Sequence, residues 1–328
     1  MNNRRKLIIA LGAGALAAPF GSFAQQQSKV WRIGFLWESK QSSYVARLDA
    51  FKTGMRELGY AEGRDYTIEH RSAEDELARL PALAAELLAL KVDLIFPSST
   101  PPAVAAHKAT REIPILFAQV SDPVGNGLAA SLRRPGGNVT GLSNLNTELD
   151  AKRLDFLRQI LPGMRRVGFL YNPDSAGSAI ALKHFESACD KLQLKAIPTP
   201  VRKADEIAPA FDKLHHDKAQ GLIVTSGQWI TAWQKSIIDH SAKHRLAVIS
   251  ASSANAEAGG LLSYTTNSTD LWRRAATYAD KIFNGAKPGD LPIEQPTKFE
   301  MVINMKTAKA LGIKIPDIVM LRADKVIE

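Results

Sequence analysis

Two proline-led turns carry the clearest chemical signal in this sequence. Thr100-Pro101-Pro102 follows the apolar run Val92–Pro97 and opens a helical pattern at Ala103. A hydroxyl residue with proline just inside marks a helix start. Such a start offers free N–H groups and a positive dipole end to an anion. Ser98, Ser99 and Thr100 are therefore candidates for holding a ligand carboxylate, with plain capping as the competing explanation. Asp122-Pro123 repeats the arrangement after Ser121 with an acidic cap. Asp122 can cap its own turn or meet a ligand ammonium, and Glu38 and Glu257 are rival cation partners. Trp37 and Tyr171 end two matching strands, where a ring can stack on a flat ligand or a cation. Packing within the fold competes equally for Trp37. Tyr264 is a further aromatic candidate, whereas core packing is the better reading for Trp229.

Signatures of catalysis are missing from the sequence. It has no Gly-x-Ser-x-Gly elbow, no His-Glu-x-x-His and no Gly-x-x-x-x-Gly-Lys-Ser/Thr loop. Gly12-x-Gly14-x-x-Ala17 imitates a dinucleotide fingerprint but precedes any strand. His240 and His244 are spaced to share a helix face, as metal ligands can be. Lys243 and Arg245 flank them, and a solvated helix face explains them better; His215-His216 reads as an exposed helix end. The single cysteine, Cys189, lies near an apolar helical stripe and reads as a small core residue. These observations favour binding over catalysis, with no cofactor and no metal.

The elements that must position these residues alternate. Apolar strand candidates are Trp31–Trp37, Tyr66–His70, Val92–Pro97, Ile113–Gln119 and Val139–Leu142. Helical periodicity lies between them, as in Leu48, Phe51, Met55 and Leu58, closed by Gly59. The βαβα order predicts a parallel sheet with helices on both faces. The pattern then restarts. Arg32-Ile33-Gly34-Phe35-Leu36-Trp37 returns as Arg166-Val167-Gly168-Phe169-Leu170-Tyr171. Val92–Phe96 is matched in type by Gln220–Val224, and Ile113–Phe117 by Leu246–Ser250. Three matches in register predict an α/β protein of two similar Rossmann-like lobes.

Ligands of such sheets bind outside the carboxyl ends of the strands. One cleft should therefore be lined by strand-end loops of both lobes. These loops hold Trp37-Glu38-Ser39, Ser98-Ser99-Thr100, Ser121-Asp122, Tyr171-Asn172, Ser226-Gly227-Gln228 and Ser250-Ala251-Ser252. The segment Gly260–Thr266, with the helix Asp270–Phe283 after it, is expected to return to the first lobe. The tail Lys298–Asn304 should return to the second, making a multi-strand hinge. The expected division is 30–143 plus about 265–290, and 144–264 plus about 291–328.

Composition is that of an ordinary globular chain of 328 residues, with 45% hydrophobic and 23% charged residues. Lys and Arg outnumber Asp and Glu by 42 to 33, but the basic residues are scattered, which argues against nucleic acid. The N-terminus has the three-part order of an export signal. Met1–Lys6 is basic, Leu7–Ala18 is apolar, and Ser22-Phe23-Ala24 supplies small residues before Gln25. Removal of residues 1–24 is expected, with no cysteine at the site to carry a lipid anchor. Arg4-Arg5-Lys6 leaves both the general and the twin-arginine routes open.

The run Asp122-Pro123-Val124…Gly127-Leu128…Arg134-Pro135-Gly136-Gly137-Asn138-Val139-Thr140-Gly141 resembles the signature of a family of ABC-importer substrate-binding proteins. That family includes tryptophan- and aromatic-amino-acid-binding members. Gly59-Tyr60…Glu62-Gly63, Pro296-Thr297-Lys298-Phe299-Glu300…Asn304 and Arg322-Ala323-Asp324 are similar as well. The resemblance implies the type I periplasmic-binding-protein fold and a periplasmic, monomeric clamp. It also implies capture of a small carboxylate-bearing solute, an amino acid and by analogy an aromatic one. The implied partners are a permease and its ATPase, with the membrane met only through the permease. Where relatives often carry small residues, this chain has Trp37-Glu38-Ser39, which makes Trp37 the expected specificity feature. A sensor presenting its solute to a receptor is the alternative role; an enzyme using the cleft is a third.

Overall fold

A computed structural model describes residues 29–40, 44–175, 177–227 and 229–328. The first lobe begins as a strand-helix alternation: β1 (Trp31–Trp37), α1 (Val45–Glu57), β2 (Tyr66–Ser72), α2 (Leu80–Ala89) and β3 (Leu94–Pro97). It continues with α3 (Thr100–Ala109), β4 (Ile115–Val120) and β5 (Val139–Ser143). The second lobe runs through α4 (Asn146–Ile160), β6 (Arg166–Tyr171), α5 (Ser178–Lys191), β7 (Lys195–Pro200) and α6 (Ile207–His216). There follow β8 (Gly221–Val224), α7 (Trp229–Lys243), β9 (Ala247–Ser250), α8 (Ser253–Glu257), β10 (Leu262–Thr266) and α9 (Ser268–Phe283). The chain ends with β11 (Phe299–Asn304), α10 (Met305–Leu311), α11 (Asp317–Met320) and β12 (Lys325–Ile327). Among the described residues no helix is long and apolar enough to cross a membrane.

The strands form two sheets. One has the order β2-β1-β3-β4-β5, the other β12-β11-β10-β9-β8-β6-β7. The order of β1–β5 in the first sheet is thus repeated by β6–β10 in the second. Pairing is parallel except between β10 and β11. The recurring glycine of the repeat has a packing reason. A Cβ at Gly34 would lie 3.0 Å from Leu87 of α2, and one at Gly168 would lie 2.5 Å from Leu214 of α6. Equivalent strands thus admit equivalent helices at close range, and any side chain there would push them apart.

Period-two alternation divides each sheet between two cores. On β1, Ile33, Phe35 and Trp37 face a cluster shared with α1 and α9, while Leu36 joins the opposite cluster with Leu83, Leu87 and Ala103. In the second lobe, Val167 and Phe169 pack with Phe156 and Phe185, and Leu170 packs with Phe211 and Ile237 on the other side. Cys189 is fully buried in the first of these clusters, and burial pushes its thiol up to about 12.

The chain crosses between sheets after β5, at Asn144–Leu145. It crosses back at Asn267, and again between Glu294 and Phe299. The strand of the segment Gly260–Thr266 does not join the first lobe as expected. Leu262 and Ser263 pair with Ile249 and Ser250, so β10 closes the second sheet and only α9 crosses. The reason is the repeat itself: β10 is the counterpart of β5 and occupies the same place beside its neighbour. Helix α9 then covers α1 and β4.

Candidate functional site

The carboxyl ends of both sheets meet at a cleft of ≈ 380 Å³. The first lobe contributes Glu38, Ser99, Thr100 and Ser121 from its strand-end loops; the second contributes Ser226 and Ser252. All six were candidates from sequence, and the structure brings them together. At the mouth the lobes approach closely. A Cβ at Gly177 would lie 3.4 Å from Asn126 Nδ2 and 3.8 Å from Thr100 Cγ2, across the cleft.

Other candidates serve the walls rather than the cavity. Trp37 is fully buried, because alternation after Ile33 and Phe35 sends it to the face covered by α9. Its ring stacks on Trp272 with centroids 5.7 Å apart, and its Nε1 donates to His70 Nδ1 at 3.1 Å. The expected specificity feature is therefore a core residue. Tyr171 packs on Phe169, and Tyr264 lies between Phe156 and Phe299. Ser39 and Ser98 are buried, and Ser98 Oγ donates to Tyr44 Oη at 3.2 Å. Asn172 Oδ1 accepts from Asp174 N at 2.9 Å, and Ser250 Oγ donates to the Ser252 carbonyl at 3.0 Å. Asp122 Oδ1 accepts from Gly125 N at 2.8 Å, so capping accounts for it. Glu257 pairs with Lys325 at 2.6 Å. Trp229 packs in the second lobe. Gln228, like the expected leader 1–24, lies outside the described residues.

The helix start at Thr100 is poorer in donors than the sequence suggests. The cap is Ser99, whose side chain makes no capping bond. Pro101 and Pro102 have no N–H, and Ala103 N donates to the Ser99 carbonyl at 3.2 Å. Only the amides of Ser99 and Thr100 remain for an anion. The hydroxyls are also engaged: Ser99 Oγ donates to Glu38 Oε2 at 2.6 Å, and Thr100 Oγ1 accepts from Ser121 N at 3.1 Å.

The donor the cleft does offer is Arg47, which sequence reasoning passed over. It sits in the first turn of α1 and reads as one scattered surface cation among many. The fold instead lays its guanidinium over the Tyr44 ring, 5.5 Å from the centroid, and into the cleft. Arg47 Nη1 is shut off from solvent and has no hydrogen-bond partner among the described residues. Burial lowers the guanidinium pKa from its ordinary value, while Tyr44 and Glu38 act in the opposite direction. Glu38 is only 5% exposed and lines the same wall. One lobe thus presents a cation and an anion side by side, which suits a zwitterion.

His240 and His244 do not form a solvated face. Both stack on Phe211, at 5.7 and 6.1 Å, and His244 Nε2 lies 3.5 Å from Asp212 Oδ1. Among the described residues no group of three or more His, Cys, Asp or Glu side chains could hold a metal.

The same two-lobed arrangement recurs in solved structures. A Streptococcus pneumonia ABC domain in complex with L-Trp is 26% identical, covering 91% of this chain and 100% of that one, with a TM-score of 0.84. A ligand-free, open substrate binding protein with adhesive properties from Clostridium difficile is also 26% identical. It covers 91% of this chain and 99% of its own, with a TM-score of 0.66. In sequence, a tyrosine-binding protein of Clostridioides difficile is 28% identical over 271 residues, spanning 81% of this chain and 78% of that protein. The family described as ABC transporter substrate binding protein matches residues 39–327, and with the repeated lobes and the cleft between them this chain belongs to that family.

Proposed function

We propose that this protein is the extracytoplasmic solute-binding component of an ABC importer and that its solute is an amino acid. The observation that carries the reading is Arg47 Nη1, buried without a partner among the described residues, beside Glu38 in the inter-lobe cleft. An unpartnered buried donor is costly, and a ligand carboxylate removes that cost. Arg47 takes the carboxylate, together with the Ser99 and Thr100 amides. Glu38 takes the ammonium. The first lobe therefore captures the zwitterion, and contacts with Ser226 and Ser252 of the second lobe form on closure. Closure requires contacts that exist only in the closed state.

Two features support a clamp that closes. At equal identity, the chain superposes better on the L-Trp complex than on the open, ligand-free protein, with TM-scores of 0.84 and 0.66. Gly177 also abuts Asn126 and Thr100 across the mouth. Family membership and the relatives' ligands support amino-acid transport, with a permease and an ATPase as partners. The basic, apolar and small-residue order of Met1–Ala24 supports export to the periplasm.

A thermal-shift screen of amino acids, each paired with its carboxamide and its decarboxylated amine, tests the reading. A ligand at one hundred times Kd adds about 2.7 kcal/mol to stability. The free acids should raise the melting temperature and the amides and amines should not. Equal shifts from an acid and its amide would refute a carboxylate held by Arg47.

A further inference from the structure

Resting on the amino-acid reading above, we infer that the solute's side chain is polar and non-aromatic, and that Thr266 at the floor of the cleft receives it. Half of the residues lining the cleft are serine or threonine, and Gln119, Asn144 and Asn267 add amides. Ile230 is the one large apolar side chain among the described lining residues. An aromatic ligand brings a large apolar surface that needs apolar partners. No aromatic ring is among the described lining residues. Trp37 and Trp272 stack behind the wall, and Trp272 Nε1 donates to Gln119 Oε1 at 3.0 Å. Gln119 Nε2 in turn donates to Ser268 Oγ at 2.6 Å. The wall thus shows amides and hydroxyls to the ligand and keeps its aromatic surface inside the lobe.

Several of these groups are engaged in hydrogen bonds within the protein. Ser121 Oγ donates to Asn144 Oδ1, Thr225 Oγ1 to Asp150 Oδ2, and Ser178 Oγ to the Asn172 carbonyl. Among the described lining hydroxyls, Thr266 is set apart by being both buried and unpartnered. It is 2% exposed, lines the cleft, and its Oγ1 has no hydrogen-bond partner among the described residues. With Arg47 Nη1 it forms a pair of unpartnered polar groups in one cavity. Arg47 answers to the carboxylate; Thr266 Oγ1 answers to a second polar group, which phenylalanine cannot supply and which tyrosine and tryptophan carry only on a ring that this lining gives no apolar partners. The charges narrow the class further. Glu38 and Glu300 line the cleft with Arg47 as its cation, so a side-chain carboxylate would meet like charge. The fitting solutes are amino acids with a hydroxyl, amide or amine side chain. Thr266 also ends β10, where the chain leaves the second lobe for α9, so a bond to it fastens the ligand at a crossing between lobes.

Calorimetry on the mature protein tests this with serine, threonine, asparagine, glutamine, lysine, glutamate, phenylalanine, tyrosine and tryptophan. The tightest hydroxyl, amide or amine member should bind at least about tenfold more tightly than any aromatic member. Thr266→Val keeps the shape and removes the hydroxyl; it should weaken that ligand about tenfold. Thr266→Ser should restore the affinity, and unchanged melting temperatures would show that both variants fold. An aromatic amino acid binding as tightly as the best polar one overturns the inference and leaves the amino-acid reading intact. So does a Thr266→Val variant with full affinity. Failure of every amino acid to bind overturns the amino-acid reading and this inference with it.

Discussion

The two lobes each place an arginine near the cleft, and the two are held in opposite ways. Arg153 of the second lobe is fully buried and paired. Its Nη1 donates to Asp150 Oδ1 at 2.6 Å and its Nε to the Tyr264 carbonyl at 2.8 Å. Asp150 also accepts from Thr225 Oγ1 at 3.2 Å. This network ties α4 to the ends of β8 and β10, just beyond the first crossing. Arg47 of the first lobe rests on Tyr44 and leaves Nη1 without a partner among the described residues. A buried ion pair that is satisfied internally holds structure together; a buried cation left unsatisfied holds a place for something else. Arg153 is paired within its own lobe, whereas Arg47 is complementary to a ligand.

The largest expected effect comes from breaking the satisfied pair. Arg153→Met leaves the Asp150 carboxylate buried beside Thr225 and should cost about 3–5 kcal/mol of stability. Urea denaturation reads this directly, and Arg153→Met with Asp150→Leu should recover most of the loss. If the single substitution is neutral, the second lobe does not depend on the pair and the contrast fails.

Arg47→Met should behave in the reverse manner. Losing a charge-assisted bond of about 1.5–3 kcal/mol should weaken the ligand by roughly tenfold to a hundredfold or more. Stability should stay level or rise, since a guanidinium nitrogen buried without a partner among the described residues is removed. Calorimetry and melting on one preparation separate the two readouts. A large fall in melting temperature with unaltered affinity would make Arg47 structural after all.

Thr100→Ala sits between these cases. Its hydroxyl accepts from Ser121 N, so the substitution should cost about 1 kcal/mol of stability. Affinity should change little, because the Thr100 amide remains. A loss of affinity matching that of Arg47→Met would bring the hydroxyl into the ligand shell.

The smallest effect is a pH dependence that neither arginine can cause, since guanidinium stays charged in proteins. His70 accepts from Trp37 Nε1, and its pKa is lowered first by burial and then by Lys52. The unfolded chain, with histidine near 6.5, therefore takes up this proton before the folded one does. Stability should be level above about pH 6.5 and fall as pH drops from there toward the folded value. His107 and His244 are lowered by burial in the same direction. Melting curves between pH 8 and pH 5 should show the fall, and His70→Gln should flatten part of it. A melting temperature that rises toward pH 5 would contradict the assigned direction.

Local chemistry determined much of this protein. The strand Trp31–Trp37 and its counterpart Arg166–Tyr171 match the expected bounds, because alternation and turn residues act over a few neighbours. The repeat implied two sheets, and strand ends implied the cleft, so Glu38, Ser99, Thr100, Ser121, Ser226 and Ser252 could be named without coordinates. The fate of Trp37 could not. It hangs on α9, which arrives from far along the chain to cover that face of β1, with Trp272 against the ring. Sequence shows that a strand end carries an indole; only the returning helix decides whether it faces solute or core. Arg47 is the converse case. Nothing in its neighbours distinguishes it from other basic residues on helices, and only the Tyr44 ring beneath it and the wall around it close off Nη1. Thr266 likewise became a cleft residue because β10 stayed with the second sheet and the crossing fell one residue later. Periodicity is a short-range property and was readable; burial and partnership are set by segments distant in sequence, and only the tertiary structure brings those together.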